Sequence, residues 1–131
     1  MPEAAKRRIL FVDDEESIRQ TIGKRLEVAG FEVLTAANGE DALVQAQTGR
    51  ADLVILDVML PKLNGYEVCA KLKQDPAHAK LPVIMFTAKG DNPQDHLVGA
   101  MFGADAYLSK TVGFKELLSH IETLLKASRS P

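Results

Sequence analysis

The sequence has few of the features that tie a chain to a membrane, a disulfide framework or a nucleic-acid surface. Its single cysteine, Cys69, cannot form an internal disulfide, which is typical of a reducing compartment. No apolar run approaches the roughly 18 residues that cross a bilayer, and no apolar signal core follows the polar residues 1–8. The formal net charge of -2 excludes a broad basic field. We therefore expect a soluble, cytoplasmic chain with no membrane partner and no direct nucleic-acid binding.

The remaining composition is that of an ordinary globular domain. The 131 residues are 46% hydrophobic and 26% charged, without repeats or low-complexity stretches. A chain of this length buries roughly two thirds of its unfolded surface, so it needs neither a metal nor a disulfide to fold. We predict a single domain over residues 1–131, with a core at about 8–127 and short polar tails.

Short apolar runs alternate along the chain with segments of helical periodicity. The runs, which predict strands, are residues 9–12, 31–36, 53–56, 83–86 and 106–108. Each is followed by a predicted helix; Asn38 is the expected cap of the second, and Leu97, Val98 and Met101 form the apolar side of the fourth. Five such units predict a parallel sheet with helices on both faces.

The polarity of the strands predicts their order. The first, third and fourth are apolar throughout, as expected for strands buried on both faces. The second contains Glu32 and Thr35, and Asp105 and Ser109 flank the fifth, which suits edge positions. The fold class is therefore α/β, a flavodoxin-like doubly wound five-stranded parallel sheet of order 2-1-3-4-5 with five helices.

Polar residues follow the strands that this order places together. Asp13 and Asp14 follow the first strand, Asp57 the third, Thr87 the fourth and Lys110 the fifth. Because ligands of open α/β sheets bind beyond the carboxyl ends of the strands, these side chains are expected to converge there.

The expected cluster has the chemistry of a phosphoryl-transfer site. Its carboxylates repel one another, so either one of them is protonated or a cation lies among them. Oxygen ligands without Cys or His select a hard cation over zinc, and Mg²⁺ typically takes one or two carboxylates, waters and a phosphate oxygen. Lys110 adds a positive charge and Thr87 a hydroxyl, and both suit the oxygens of a phosphoryl group. A carboxylate nucleophile with these neighbours indicates phosphoryl transfer to aspartate.

Four segments resemble the receiver domains of two-component response regulators, the single-domain chemotaxis type among them. They read VDDEESIR at 12–19, DVMLPKLNG at 57–65, FTAK at 86–89 and GADAYLSK at 103–110. The resemblance runs from about Ile9 to Leu125. It implies a phosphorylation-activated signalling switch rather than an enzyme, with Asp57 taking the phosphoryl group from a sensor histidine kinase or a histidine phosphotransfer protein.

The resemblance also implies a role for each site residue. Asp14, Asp57 and the Met59 carbonyl would bind Mg²⁺ directly, and Asp13 through water. Lys110, the Thr87 hydroxyl and the backbone N–H groups of Met59 and Ala88 would hold the phosphoryl oxygens. Thr87 and Tyr107 would be the switch: Thr87 shifts toward the phosphate and Tyr107 turns inward. The altered face would act on a downstream protein or a C-terminal output domain.

One residue departs from the family pattern. Proline, commonly in a cis peptide, usually follows the lysine, whereas here Thr111 follows Lys110. A cis bond costs about 2.5–4 kcal/mol without proline, so we predict a trans bond.

Three alternative functions make different demands on the sequence. A flavin or nucleotide module needs a phosphate-binding loop after the first strand, where this chain has four acidic residues. An aspartate-nucleophile phosphatase usually has a second aspartate where Met59 stands. A degenerate receiver, acting only as a protein-interaction module, would have lost an acidic residue or the lysine.

Several other residues are expected to be structural. Cys69 is predicted to lie in the core, and Met59, Met85 and Met101 to pack. His78, His96 and His120 are predicted to be solvated, since no pair has metal-ligand spacing.

Overall fold

The computed structural model of the chain describes residues 6–48, 50–88 and 93–129, with side chains up to residue 127. The predicted polar tails lie largely outside these residues, and Lys89, the last residue of the FTAK segment, lies outside them as well. Within the described residues, no helix has both the length and the apolar character needed to cross a membrane.

All five predicted strands and helices are present, in the predicted alternation. The strands are β1 Arg8–Val12, β2 Glu32–Ala36, β3 Leu53–Leu56, β4 Val83–Thr87 and β5 Ala106–Ser109. The helices are α1 Glu16–Val28, α2 Gly39–Thr48, α3 Gly65–Gln74, α4 Pro93–Met101 and α5 Phe114–Arg129. The sheet is parallel and its order is β2-β1-β3-β4-β5, which confirms the predicted fold class.

The three central strands bury both of their faces, as their apolar sequences predict. Successive side chains of a strand point to opposite faces, so Leu10 and Val12 join a core beneath α2 and α3. Ile9 and Phe11 join a second core beneath α1 and α5. The two cores hold the sheet rigidly between helical layers, and this fixes the positions of the strand ends.

Local signals at the helix ends also match the structure. Asn38 Oδ1 accepts a hydrogen bond from the Asp41 backbone N–H at 2.9 Å, as expected of a cap. Asn64 and Glu67 form a reciprocal capping box at the start of α3. These caps fix where α2 and α3 begin beside the carboxyl edge of the sheet.

The expected packing role of Met101 is wrong, and the apolar side of α4 does not face the core. Leu97 and Met101 are 63% and 77% exposed, and the one buried residue recorded for α4 is Gly99. The ring of Tyr107 occupies the space beneath Gly99, so α4 approaches the sheet through a glycine instead of its apolar stripe. Met59, at 58% exposed, is also not a packing residue, whereas Met85 and Cys69 are fully buried as predicted.

Candidate functional site

The predicted site residues meet at the carboxyl edge of the sheet. Asp13 follows β1, Asp57 follows β3, Thr87 ends β4 and Lys110 follows β5. Backbone hydrogen bonds continue across this edge, from Asp57 N–H to the Val12 carbonyl at 3.1 Å and from Lys110 N–H to the Thr87 carbonyl at 2.9 Å. The sheet itself therefore sets the spacing of the four side chains.

Three carboxylates form an acidic cluster at this edge. One carboxylate oxygen from each of Asp13, Asp14 and Asp57 lies within 4.8 Å of the others. Asp13 and Asp57 are 1% and 5% exposed, whereas Asp14 is exposed. This donor set is hard and anionic, and it includes no His or Cys, so it fits Mg²⁺.

Lys110 lies between the two buried carboxylates. Its Nζ is 2.7 Å from Asp57 Oδ2, to which it donates a hydrogen bond, and 2.6 Å from Asp13 Oδ2 in an ion pair. Burial acts to lower the pKa of Lys110, but the contacts with Asp13 and Asp57 outweigh it and raise that pKa above its ordinary value. The amine therefore stays charged and offsets part of the repulsion in the cluster.

The loop after β1 is held by contacts to Asp13. Asp13 Oδ1 accepts a hydrogen bond from the Glu15 backbone N–H at 2.9 Å. Arg19 Nη1 donates to the Asp13 carbonyl at 2.7 Å. Sequence reasoning missed Arg19, although it lies on the first turns of the helix that follows the acidic residues.

The loop after β3 folds back over Asp57. The Met59 backbone N–H donates to Asp57 Oδ1 at 3.1 Å, and the Gly65 N–H donates to the Val58 carbonyl at 2.9 Å. A Cβ on Gly65 would collide with the Asp57 carbonyl, so only glycine permits this close approach. The sequence places Gly65 at the end of the loop but does not reveal this contact.

Two further predicted residues complete the edge. Thr87 is fully buried, and its hydroxyl has no hydrogen-bond partner among the residues that the structure describes. Ala88 follows it directly, at the end of β4 and exposed. A buried hydroxyl without a partner is costly, and an oxygen-rich group beside Asp57 would give it one.

The segment after Lys110 has no cis peptide bond among its described residues, so the bond to Thr111 is trans, as predicted. The Thr111 N–H donates to Ser109 Oγ at 3.1 Å, and the two hydroxyls lie 2.8 Å apart. Proline has no N–H and could not make the first of these bonds.

Tyr107, the second predicted switch residue, is turned inward. It is 7% exposed, and its hydroxyl lies 3.0 Å from that of Tyr66 at the start of α3. Burial, and then the hydrogen bond with Tyr66, raise the pKa of Tyr107 above its ordinary value. Sequence reasoning missed Tyr66, because nothing in the sequence links residues 41 positions apart.

The fold and the site define a doubly wound α/β domain with a buried acidic centre at the carboxyl edge of its sheet. The family model described as the response regulator receiver domain matches residues 9–122. The chain therefore belongs to the response-regulator receiver family, and it is a domain of the kind that serves phosphorylation-dependent two-component signalling.

Known proteins agree with this assignment. The chain is 46% identical over 129 residues to a "Probable transcriptional regulator ycf27" of Cyanophora paradoxa, covering 98% of this chain and 52% of that protein. It is 43% identical to the "Alkaline phosphatase synthesis transcriptional regulatory protein PhoP" of Bacillus subtilis, covering 93% and 50%. The solved structure of chemotaxis response regulator CheY4 of Vibrio cholerae superimposes with a TM-score of 0.85 at 33% identity, covering 92% and 99%. The chain thus spans about half the length of these two transcriptional regulators.

Proposed function

We propose that this domain is a phosphorylation-activated switch that takes a phosphoryl group onto Asp57. The observation that carries the proposal is the position of the Asp57 carboxylate, which is buried and lies 2.7 Å from the Lys110 ammonium. The Thr87 hydroxyl, which has no hydrogen-bond partner within the described part of the chain, lies on the same sheet edge. A nucleophilic oxygen, a fixed positive charge and a free hydroxyl are what transfer of a phosphoryl group to a carboxylate requires.

The donor is a phosphohistidine of a sensor histidine kinase or a histidine phosphotransfer protein. An Asp57 oxygen attacks phosphorus, the P–N bond to the imidazole breaks as the O–P bond forms, and the imidazole leaves with the electron pair. Lys110 then moves from the two carboxylates to a phosphoryl oxygen. The contacts with Asp13 and Asp57 raise the pKa of Lys110 before this move, so it approaches the phosphoryl oxygen as a cation.

Asp13, Asp14 and Asp57, with the Met59 carbonyl, are the residues that would hold Mg²⁺. When bound, the ion supplies positive charge that offsets the repulsion between the carboxylates and the incoming phosphoryl oxygens. The Thr87 hydroxyl and the N–H groups of Met59 and Ala88 donate to those oxygens. The Met59 N–H now donates to Asp57 Oδ1 at 3.1 Å, so it would exchange that acceptor for a phosphoryl oxygen.

Phosphorylation changes the output face through Thr87 and Tyr107. Thr87 moves toward the phosphoryl group. Tyr107 then fills the space that Thr87 leaves, and this favours its inward position. A doubly charged group thereby shifts the population between two packings of the β4–α4–β5 region. The partner that responds is a downstream protein or an output domain.

The proposal is tested by labelling with acetyl phosphate in the presence of Mg²⁺. Intact mass should show one added phosphoryl group on the wild type and on Asp41→Asn, an exposed-carboxylate control, and none on Asp57→Asn. Equal labelling of Asp57→Asn would contradict the assignment. No labelling of the wild type by this donor or by a panel of histidine kinases would favour the degenerate-receiver alternative.

A further inference from the structure

A cluster of four rings lies beside the acidic site, between α3, α4 and β5. Its centre is the tyrosine pair, Tyr66 and Tyr107, whose hydroxyls share a hydrogen bond at 3.0 Å. The Tyr66 ring stacks on Phe102 with centroids 5.1 Å apart, and the Tyr107 ring lies 5.0 Å from that of His96. Tyr66 has no role in the proposed phosphoryl transfer.

The space that Tyr107 occupies exists because of Gly99. A Cβ built on Gly99 would collide with Tyr107 Cδ2, so any other residue at this place in α4 displaces the ring. Tyr107 is 7% exposed, so its ring fills this space. The space beside Gly99 therefore allows the inward position of Tyr107, and the hydrogen bond with the Tyr66 hydroxyl favours it.

The bond with Tyr66 also explains how a polar tip can remain buried there. A buried hydroxyl without a partner is costly, and Tyr66 supplies the partner. The raised pKa of Tyr107 is consistent with a neutral, hydrogen-bonded phenol. Because Tyr66 is the second residue of α3, just after the loop that folds back over Asp57, it links that loop to the switch residue.

We propose that Tyr66 is a positioning residue for the switch: its hydroxyl holds Tyr107 inward before phosphorylation and biases the domain toward its phosphorylated arrangement. This inference rests on the proposed function, because it takes the inward Tyr107 as the arrangement that a phosphoryl group on Asp57 favours. One hydrogen bond of this kind shifts the inward–outward equilibrium by about two- to tenfold. By linkage, the affinity for a phosphoryl mimic rises by up to the same factor.

The chain suits a direct measurement, since Tyr66 and Tyr107 are its only tyrosines. Protein labelled with ¹³C in the tyrosine rings gives NMR signals from these two rings alone, and Tyr66→Phe assigns them. A soluble paramagnetic probe then measures the exposure of the Tyr107 ring without and with beryllofluoride and Mg²⁺. Thr123→Val, which removes an exposed hydroxyl on α5, is the matched control. Gly99→Ala gives the outward reference, and if it does not fold, urea-unfolded protein gives it instead.

In Tyr66→Phe we expect the Tyr107 ring to be more exposed than in the wild type and in Thr123→Val. Beryllofluoride should return it to the wild-type value, with an affinity weaker than that of the wild type by up to tenfold. A purely structural Tyr66 would lower stability and leave the exposure of Tyr107 unchanged. That result, or exposure that beryllofluoride does not reverse, overturns the inference.

The two proposals fail separately. If acetyl phosphate does not label Asp57, the proposed function is wrong, while the exposure of Tyr107 in the unphosphorylated protein still decides whether Tyr66 holds it. If Asp57 is labelled and the Tyr107 ring of the Tyr66→Phe variant stays as protected as in the wild type, only the inference about Tyr66 is wrong.

Discussion

Replacing Lys110 by methionine tests whether this lysine is the internal counterion of the acidic cluster. Its Nζ lies 2.6 Å and 2.7 Å from oxygens of Asp13 and Asp57, which are 1% and 5% exposed. Methionine keeps most of the volume and removes the charge, so both carboxylates lose their cation. Removing one partner of a fully buried pair costs about 3–5 kcal/mol. Since the Lys110 side chain is 18% exposed and Asp14 opens the site to water, we expect a loss of about 2–3 kcal/mol.

Urea unfolding in the presence of EDTA measures this loss. With an m-value of about 2 kcal/mol/M, the midpoint should fall by about 1–1.5 M. Lys71→Met, a charge removal on the exposed face of α3, is the control and should change the midpoint little. Asp57→Asn combined with Lys110→Met should cost less than the sum of the two single changes, because one of the two carboxylates that lose their cation is then absent.

Saturating Mg²⁺ should recover more stability in Lys110→Met than in the wild type. The cation and the lysine compete for the same oxygens, and each tenfold gain in Mg²⁺ affinity adds about 1.4 kcal/mol. A variant as stable as the wild type in EDTA would refute the counterion role. An equal gain from Mg²⁺ in both proteins would refute the competition.

Three other predictions follow from the site and the core. Met59→Asn should speed hydrolysis of the phosphorylated Asp57 by about tenfold, which corresponds to about 1.4 kcal/mol of barrier. The amide can orient a water molecule, whereas the 58% exposed methionine cannot. An unchanged rate in a dephosphorylation time course would show that the side chain is inert. Gly65→Ala should slow labelling of Asp57 by acetyl phosphate and lower the free energy of unfolding by about 1–3 kcal/mol, because the added Cβ collides with the Asp57 carbonyl. Labelling kinetics and stability equal to those of the wild type would contradict the packing argument. Cys69 should resist iodoacetamide until the protein unfolds, because burial raises its pKa to about 11; rapid alkylation of the native protein would be inconsistent with that burial.

The predictable part of the candidate site is the part carried by the strand ends. The strand order predicts that four side chains lie close together, because parallel strands present their carboxyl ends along one edge. They are Asp13, Asp57, Thr87 and Lys110. Arg19 and Gly65 could not be assigned in this way. Their contributions depend on contacts with backbone carbonyl groups, and the sequence carries no pattern for such contacts.

The helix α4 shows where periodicity misleads. Its apolar residues have helical spacing, and the helix is present, yet Leu97 and Met101 face solvent. Periodicity reports that a helix is amphipathic, but the side that faces the sheet is chosen by fit against β5. Here the ring of Tyr107 fits against α4 only because Gly99 has no side chain.

The sequence by itself determined the strands and helices, the order of the strands and the position of the acidic residues at the carboxyl edge of the sheet. Each of these is encoded in local polarity, in helix caps or in the alternation of strand and helix. The tertiary structure alone decided the contact between Tyr66 and Tyr107 and the contacts of Lys110 with two carboxylates. These depend on side-chain rotamers and on distances across the packed layers, which are set to within an ångström only when the whole core has assembled.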